Sequence, residues 1–357
     1  MCRWCRGSRG FVNGWFRWGH PGPAGRDGTG ATVLMRDVAT VVPAGFLAAL
    51  GSLFDPLATV RFGPGGEVPA DPGAAIRLLR RLKPKHIVVA GRLPCRADFL
   101  CEVKAPVSWI SAEQDDAGRV NARVITVRGR SQQGRLPGAL VTGDPLLGVD
   151  GLPSLPDEAL CERFRPMHER GRWVLYFGAT EADEEAAAYT TFLKLSRRGV
   201  GLLVLAPRDP ARYEPVYRDA MRFHLMTNRH ARLLTSFVPP QTRVYYLEDA
   251  EVARRMYRCA DVVVAGGTLA TAGPQPDAIL PLALARPVVA GPLGLSPVLA
   301  AARVDGAVRA VSGLDDLEPA LMPLLTLADE RKRQGDAGKA WLAAQVGAAQ
   351  RVLALLR

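Results

Sequence analysis

The feature that most constrains this chain is an alternation. Short β-branched runs take turns with Ala/Leu/Arg stretches of helical length, and the series runs through twice. That is the rhythm of α/β proteins with parallel sheets, because parallel strands need helical crossovers between them. In the first half, Ala31–Met35, Ala58–Phe62, Ile87–Ala90, Val107–Ile110, Ala122–Val127 and Ala139–Thr142 read as strands. Gly45–Leu53 reads as a helix. Pro72–Leu82 is a second, with Asp71 as N-cap and Pro72 at its first position. Gly and Pro between Gly143 and Pro156 mark a linker. Trp173–Phe177, Gly201–Ala206, Val244–Tyr246, Asp261–Ala265 and Val288–Ala290 then restart the strands. Helices are expected over Asp183–Arg198, Ala211–Phe223, Ala250–Cys259, Ala278–Ala285 and Leu295–Ala302, and one helix or a helix pair over residues 326–357.

Length and composition agree with two ordinary domains: 357 residues, 48% hydrophobic and 23% charged. No apolar run approaches the roughly 18–20 residues of a membrane helix. The net charge is +11 and only six of the basic residues are Lys. Arg suits anionic partners such as acidic lipid head groups or nucleotide-linked sugars. The Arg residues are dispersed, with no basic block and no aromatic RNA-binding signature, so nucleic acid is not expected. Six cysteines in a chain of this length do not form a disulfide framework, and Cys2-Arg-Trp-Cys5 has no second ligand pair for zinc. A reducing compartment and no metal are expected. Residues 1–30 carry five Arg against one acid, interleaved with Trp4, Trp15, Phe16 and Trp18 but without the apolar core of a signal peptide. They read as a basic aromatic tail, disordered or docked on an anionic bilayer surface.

Three segments carry candidate chemistry. Asp261-Val-Val-Val-Ala-Gly266-Gly267-Thr268-Leu269 is a buried strand ending in two glycines, where backbone N–H groups and the Thr268 hydroxyl can hold a phosphate. It is not a GxGxxG, which disfavours a nicotinamide or flavin dehydrogenase. Leu205-Ala-Pro-Arg208-Asp-Pro-Ala-Arg212 aims Arg208 along the same sheet edge, either to clamp a phosphate or sugar carboxylate or to pair with Asp209 or a helix end. Phe177-Gly178-Ala-Thr180-Glu-Ala-Asp-Glu184-Glu185 offers the Thr180 hydroxyl, and its acidic residues suit the helix dipole.

In order and spacing these segments, with Tyr257-Arg-Cys-Ala260-Asp261-Val262, resemble the C-terminal domain of the bacterial 3-deoxy-D-manno-octulosonate (Kdo) transferases. Asp71–Pro84 with Ile87–Ala90, and Val141-Thr142-Gly143-Asp144, resemble the first half of that family more loosely. The resemblance implies metal-free transfer of Kdo from CMP-Kdo to a lipid A precursor in Gram-negative lipopolysaccharide synthesis. It implies donor binding by Thr180, Arg208, Gly266, Gly267, Thr268, Gly273 and Asp277. The chain departs from the family where function sits. The His-Ala-x-Ser-x-Gly-Glu segment, whose Glu is the expected general base, does not occur. Gly273-Pro-Gln-Pro-Asp277 stands where the family has His-Asn-Pro-x-Glu-Pro. Asp98, Glu102, Glu113 and Asp115 are the remaining acceptor-side carboxylates, each expected on a solvated surface, and His86, His168, His224 and His230 show no acid partner at telling spacing.

The expected fold is therefore α/β of the GT-B kind: two Rossmann-like domains with a cleft between them and a C-terminal helix. Residues 1–30 form the tail, 31–150 the acceptor-side domain, 151–171 the linker, 172–325 the nucleotide-sugar domain and 326–357 the closing helices. The function expected is a Kdo-transferase-like glycosyltransferase without a cofactor, with its catalytic residue unidentified. It would be cytoplasmic or peripheral at the inner face of the membrane, with an anionic lipid acceptor. The alternative is a non-catalytic relative that binds a nucleotide, an anionic glycan or a partner enzyme.

Overall fold

The computed structural model describes residues 30–113, 115–274 and 277–357. The tail, Cys2 and Cys5 lie outside the described residues. Two compact units divide the rest: residues up to Leu146 with Gln350–Arg357, and Leu147–Ala349.

The first unit is built on a six-stranded parallel sheet of order β2-β1-β3-β4-β5-β6. Its strands are β1 (Thr32–Asp37), β2 (Leu57–Phe62), β3 (His86–Ala90), β4 (Val107–Ile110), β5 (Ala122–Val127) and β6 (Leu140–Val141). Helices α1 (Ala44–Leu53), α2 (Pro72–Leu82) and the short α3 (Arg130–Gln133) connect them. Asp71 caps α2 as expected, its carboxylate accepting from Gly73 N at 3.3 Å and Ala74 N at 2.8 Å. Ala75, Leu79 and Leu82 recur on one face of that helix and are buried in the core with Val33, Phe62, Ile87 and Trp109.

The second unit opens with the linker and the short α4 (Arg165–Glu169). It holds a seven-stranded parallel sheet of order β13-β12-β11-β7-β8-β10-β9. The strands are β7 (Trp173–Thr180), β8 (Gly201–Pro207), β9 (Thr227–Arg229), β10 (Val244–Tyr246), β11 (Val262–Ala265), β12 (Val288–Ala290) and β13 (Arg309–Ala310). Its further helices are α5 (Glu184–Leu195), α6 (Tyr213–Arg222), α7 (Ala250–Cys259), α8 (Ile279–Ala283), α9 (Pro297–Val304), α10 (Leu317–Thr326) and α11 (Ala328–Gln345), and α12 (Ala348–Leu356) ends the chain. Strands β8 and β11 are buried at every position, as uninterrupted apolar runs require when helices cover both faces. The chain runs outward from β7 through β8 to β10 and β9, then returns to the other side of β7 as β11. The order thus reverses between β7 and β11, which makes that pair the switch point of the sheet.

Helix α12 belongs largely to the first unit. Val352 and Leu356 are buried, and Arg351 Nε donates to Thr142 O at 2.8 Å. Two Rossmann-like α/β units, with closing helices that return the chain to the first, are the chain organisation expected of a GT-B protein. Strands β9 and β13 and helix α10 were not legible in the sequence. The two strands have three and two residues, and α10 carries Pro323 inside it.

One cysteine expectation is corrected. Cys161 and Cys259 are joined in a disulfide across 98 residues of sequence. The linker segment 154–161 lies along α7, where Arg254 donates to Ser154 O, Arg255 pairs with Asp157 at 2.6 Å and Arg258 pairs with Glu158. That packing sets the two sulfurs side by side, which spacing alone did not show. No group of three or more metal-ligating side chains and no helix long and apolar enough to cross a membrane occur among the described residues.

Candidate functional site

The expected donor-binding residues converge at the carboxyl edge of the second sheet, around the β7–β11 switch point. Gly266 N donates to Gly178 O at 2.9 Å, closing the two strand ends. A Cβ on Gly266 would stand 2.4 Å from Ala179 O, and Gly267 has φ +72°. The glycine pair is therefore required by the close approach of two backbones and by the left-handed turn that follows.

The N–H groups of that turn are already engaged. Glu184, fully buried at the start of α5, accepts from Gly267 N at 2.8 Å and from Leu269 N at 2.9 Å. Its other contact is Glu181 N at 2.9 Å, which ties the carboxylate to its own helix start. A carboxylate of the protein thus occupies the place where the sequence suggested a phosphate. The Thr268 hydroxyl donates to Ala265 O at 2.6 Å and accepts from Gly291 N at 2.9 Å. Thr180 is likewise fully buried, its hydroxyl donating to Glu185 at 3.1 Å, and Glu185 also holds Arg212 at 2.8 Å. The expectation that Thr180, Thr268 and the glycine N–H groups face a ligand does not fit these contacts. They hold the loop in place, and the acidic residues act through specific hydrogen bonds beyond the helix dipole.

Arg208 is the expected residue that does face open space. Three-quarters buried by side chain, it lies with Nε 2.6 Å from Glu181 Oε1 and donates from Nη2 to Ala179 O at 3.4 Å. Its partner is neither Asp209 nor a helix end. Asp209 instead accepts from Ala211 N at 2.9 Å. The Glu181 carboxylate also covers Gly273, where an added Cβ would fall 2.3 Å from Oε1.

Arg208 lines a cavity of about 280 Å³ whose other walls include Tyr176, Tyr257, Leu247, Asp249 and Asp277. Asp277 is exposed and caps α8, its Oδ1 accepting from Ile279 N at 3.0 Å and Leu280 N at 3.1 Å. Tyr257 is 4% exposed and stacks edge-on against Tyr176. Burial pushes its phenol well above the usual range, the charge of nearby Asp277 adding to the shift and Arg208 opposing it. A cation, an exposed carboxylate and a phenol thus share one small apolar-walled pocket. Such a pocket can hold an anionic group at Arg208 and a hydroxyl-bearing ring at Asp277. The sequence reading missed Glu181, Glu184, Tyr176 and Tyr257; the i, i+3 spacing of Glu181 and Glu184 was the only local signal of a capping arrangement.

In the first unit three of the four acidic candidates are engaged in ion pairs. Asp98 pairs with Arg96 at 3.0 Å, Glu102 with Arg80 at 3.4 Å and Glu113 with Arg128 at 3.4 Å, while the side chain of Asp115 lies outside the described residues. A carboxylate not considered from sequence, Asp37, ends β1 beside β3, where the strand order of this sheet reverses. It accepts from Ala39 N at 2.7 Å through Oδ1. Three of the four candidate histidines do find side-chain partners through the fold. His168 lies 3.4 Å from Asp261, His86 bonds Ser108 at 2.9 Å and His230 bonds the Tyr245 hydroxyl at 2.7 Å.

Fold and site together define a tandem Rossmann-like α/β protein with a small apolar-walled pocket at the carboxyl edge of its second sheet, lined from β7, β8 and α7. No family profile matches the chain. Over 160 residues it is 31% identical to the 3-deoxy-D-manno-octulosonic acid transferase of Haemophilus influenzae, a stretch covering 44% of this chain and 36% of that enzyme. The resemblance to the Kdo transferases is therefore present over that stretch, and the match spans about a third of the curated relative's length. Among solved structures, the C-terminal CMP-Kdo binding domain of WaaA from Acinetobacter baumannii superposes with a TM-score of 0.46 at 18% identity, over 52% of this chain and 99% of that one. MurG of Acinetobacter baumannii superposes at 0.47 and 15% identity, over 91% and 98%.

Proposed function

We propose that this chain binds a nucleotide sugar at the carboxyl edge of its second sheet and acts as a Kdo-transferase-like glycosyltransferase, moving Kdo from CMP-Kdo to a lipid A precursor. The observation that carries the reading is Arg208 in the wall of the pocket at the carboxyl edge of the second sheet, in a chain similar over 160 residues to a Kdo transferase. Arg208 receives the donor phosphate through its planar fork, releasing Glu181 as it does so. Asp277 accepts a ribose hydroxyl, and Leu247 supplies an apolar wall for the base. The pocket volume of about 280 Å³ falls just below the range of ligand pockets, which run from about 300 to 1,000 Å³. That favours a nucleoside monophosphate over a bulkier diphosphate.

Transfer to a hydroxyl also needs a base to take its proton, an effect of about 10²–10⁴-fold. Asp37 is the carboxylate we assign to that role, since carboxyl ends at a strand-order reversal are where open α/β sheets hold ligands. The anionic acceptor and a peripheral place on a membrane surface follow from the basic composition and remain part of this proposal.

A second reading has its own support. Glu184 fills the N–H groups of the glycine turn, and Glu181 occupies Arg208. Both contacts suit a non-catalytic relative that binds a nucleotide or an anionic glycan weakly or not at all. Thermal unfolding of the purified chain with CMP, CMP-Kdo, UDP and GDP separates the readings. Ligand at 100 times its dissociation constant stabilises by about 2.7 kcal/mol. A shift with CMP and CMP-Kdo that Arg208→Ala abolishes is expected. No shift with any of the four overturns donor binding and leaves the non-catalytic reading.

A further inference from the structure

The opposite edge of the second sheet holds a larger cavity, of about 830 Å³. It lies at the amino-terminal ends of β7 and β11, beside Trp173 and Asp261, and so is separate from the Arg208 pocket. Five cationic side chains line it against two carboxylates.

Both carboxylates are committed. Glu158 pairs with Arg258. Asp261 accepts from Val174 N at 2.8 Å and lies 3.4 Å from His168 Nε2 and 3.8 Å from Arg331 Nε. Arg172 is held by the carbonyls of Pro240, Gly201 and Thr242, Arg258 by Pro156 O besides Glu158, and Arg331 by Leu324 O and Leu325 O, so Arg286 and Lys339 are the lining cations with charge left to offer. Arg286 donates from Nη2 to Arg258 O at 2.6 Å, and its buried Nε has no acceptor among the described residues. Burial lowers its pKa, and Arg258 and Arg331 push the same way against the pull of Asp261. Lys339, on the exposed side of α11, has no ion pair among the described residues. Like charges held close in a partly desolvated space repel, and an anion between them relieves that repulsion. The rim adds Leu155, Leu284 and Leu325, which suit a carbon body attached to the anionic group.

We infer that this cavity is a second ligand site, taking a phosphate or diphosphate group on Arg286 and Lys339, with Arg258 and Arg331 holding the wall. Guanidinium forks match phosphate oxygens bidentately, whereas the flexible Lys339 supplies a point charge. The same chemistry is offered by a soluble phosphate ester and by a phospholipid head group.

The test is isothermal titration of the full chain with inorganic pyrophosphate at low ionic strength. Single-site binding is expected, weakened at least tenfold by Lys339→Glu, an exposed change that leaves the fold intact, and by Arg286→Gln. Arg208→Ala should leave it unchanged, so failure of the donor reading and failure of this one are distinguishable. Competition by phosphatidylglycerol vesicles assigns the site to a lipid head group; inert vesicles assign it to a soluble phosphate ester. The inference is overturned if pyrophosphate gives no heat, if Lys339→Glu binds within twofold of the wild type, or if Arg208→Ala abolishes the binding.

Discussion

Removing the Glu184 carboxylate should release the glycine turn that follows β11. Glu184 accepts three backbone N–H groups, from Glu181, Gly267 and Leu269, at 2.8 to 2.9 Å, and is fully buried. Hydrogen bonds to a charged group contribute about 1.5–3 kcal/mol each, and a buried donor left without a partner costs about 1–3 kcal/mol. Three such terms would sum to roughly 5 kcal/mol or more. They are not independent, however, and water entering the vacated space replaces part of the loss. Glu184→Ala should therefore lower stability by about 4 kcal/mol, a large fraction of the 5–15 kcal/mol of an ordinary domain. Glu184→Gln keeps one accepting oxygen and turns an NH₂ group toward at least one backbone donor, so about 2 kcal/mol is expected. Urea unfolding followed by far-UV circular dichroism gives both numbers, and amide exchange at Gly267 and Leu269 should speed up in the Ala variant. An Ala variant within 1 kcal/mol of the wild type would refute the argument that these bonds hold the turn.

Glu181→Gln removes the carboxylate that competes with phosphate for Arg208; because the pair is partly exposed, a gain of about 1 kcal/mol, or roughly fivefold in CMP affinity, is expected by titration calorimetry. Asp37→Asn should leave CMP binding unchanged and reduce isotope-labelled Kdo transfer by about 10²–10⁴-fold; undiminished transfer removes Asp37 from the base role. Burial opposes ionisation of Asp261, but His168, Val174 N and Arg331 together hold its carboxyl below the ordinary value of 3.8. Its contribution to stability is therefore complete above that value and lost as pH falls through the lower folded value. Asp261→Asn should flatten the acid limb of a plot of unfolding free energy against pH. His86 is depressed by burial first and by Arg123 second. The unfolded chain thus gains a proton below about pH 6.5 that the folded chain refuses, and His86→Gln should shallow the stability loss as pH falls below that value.

What the sequence determined by itself is whatever depends on neighbours along the chain. Asp71 and Pro72 start α2 where they were read to start it, because a cap and a fixed φ act within one turn. The apolar runs 201–206 and 261–265 mark central strands because both faces of a parallel strand are covered. Gly266-Gly267 marks a sharp strand end. The tandem α/β organisation follows from that rhythm.

The tertiary structure alone decided which polar atoms are left for a ligand. The Thr268 hydroxyl, expected to face a ligand, accepts from Gly291 N, 23 residues on, while the Thr180 hydroxyl is taken by Glu185 once the first turn of α5 folds back on it. The N–H groups of Gly267 and Leu269 are taken by Glu184, 83 and 85 positions away. Arg208 found Glu181 in place of its sequence neighbour Asp209, and Cys161 found Cys259 across 98 residues. A buried N–H, hydroxyl or charge must be satisfied by whatever the fold brings within about 3 Å. Sequence places chemistry on an edge of a sheet; the three-dimensional packing then determines which of those groups is already spoken for.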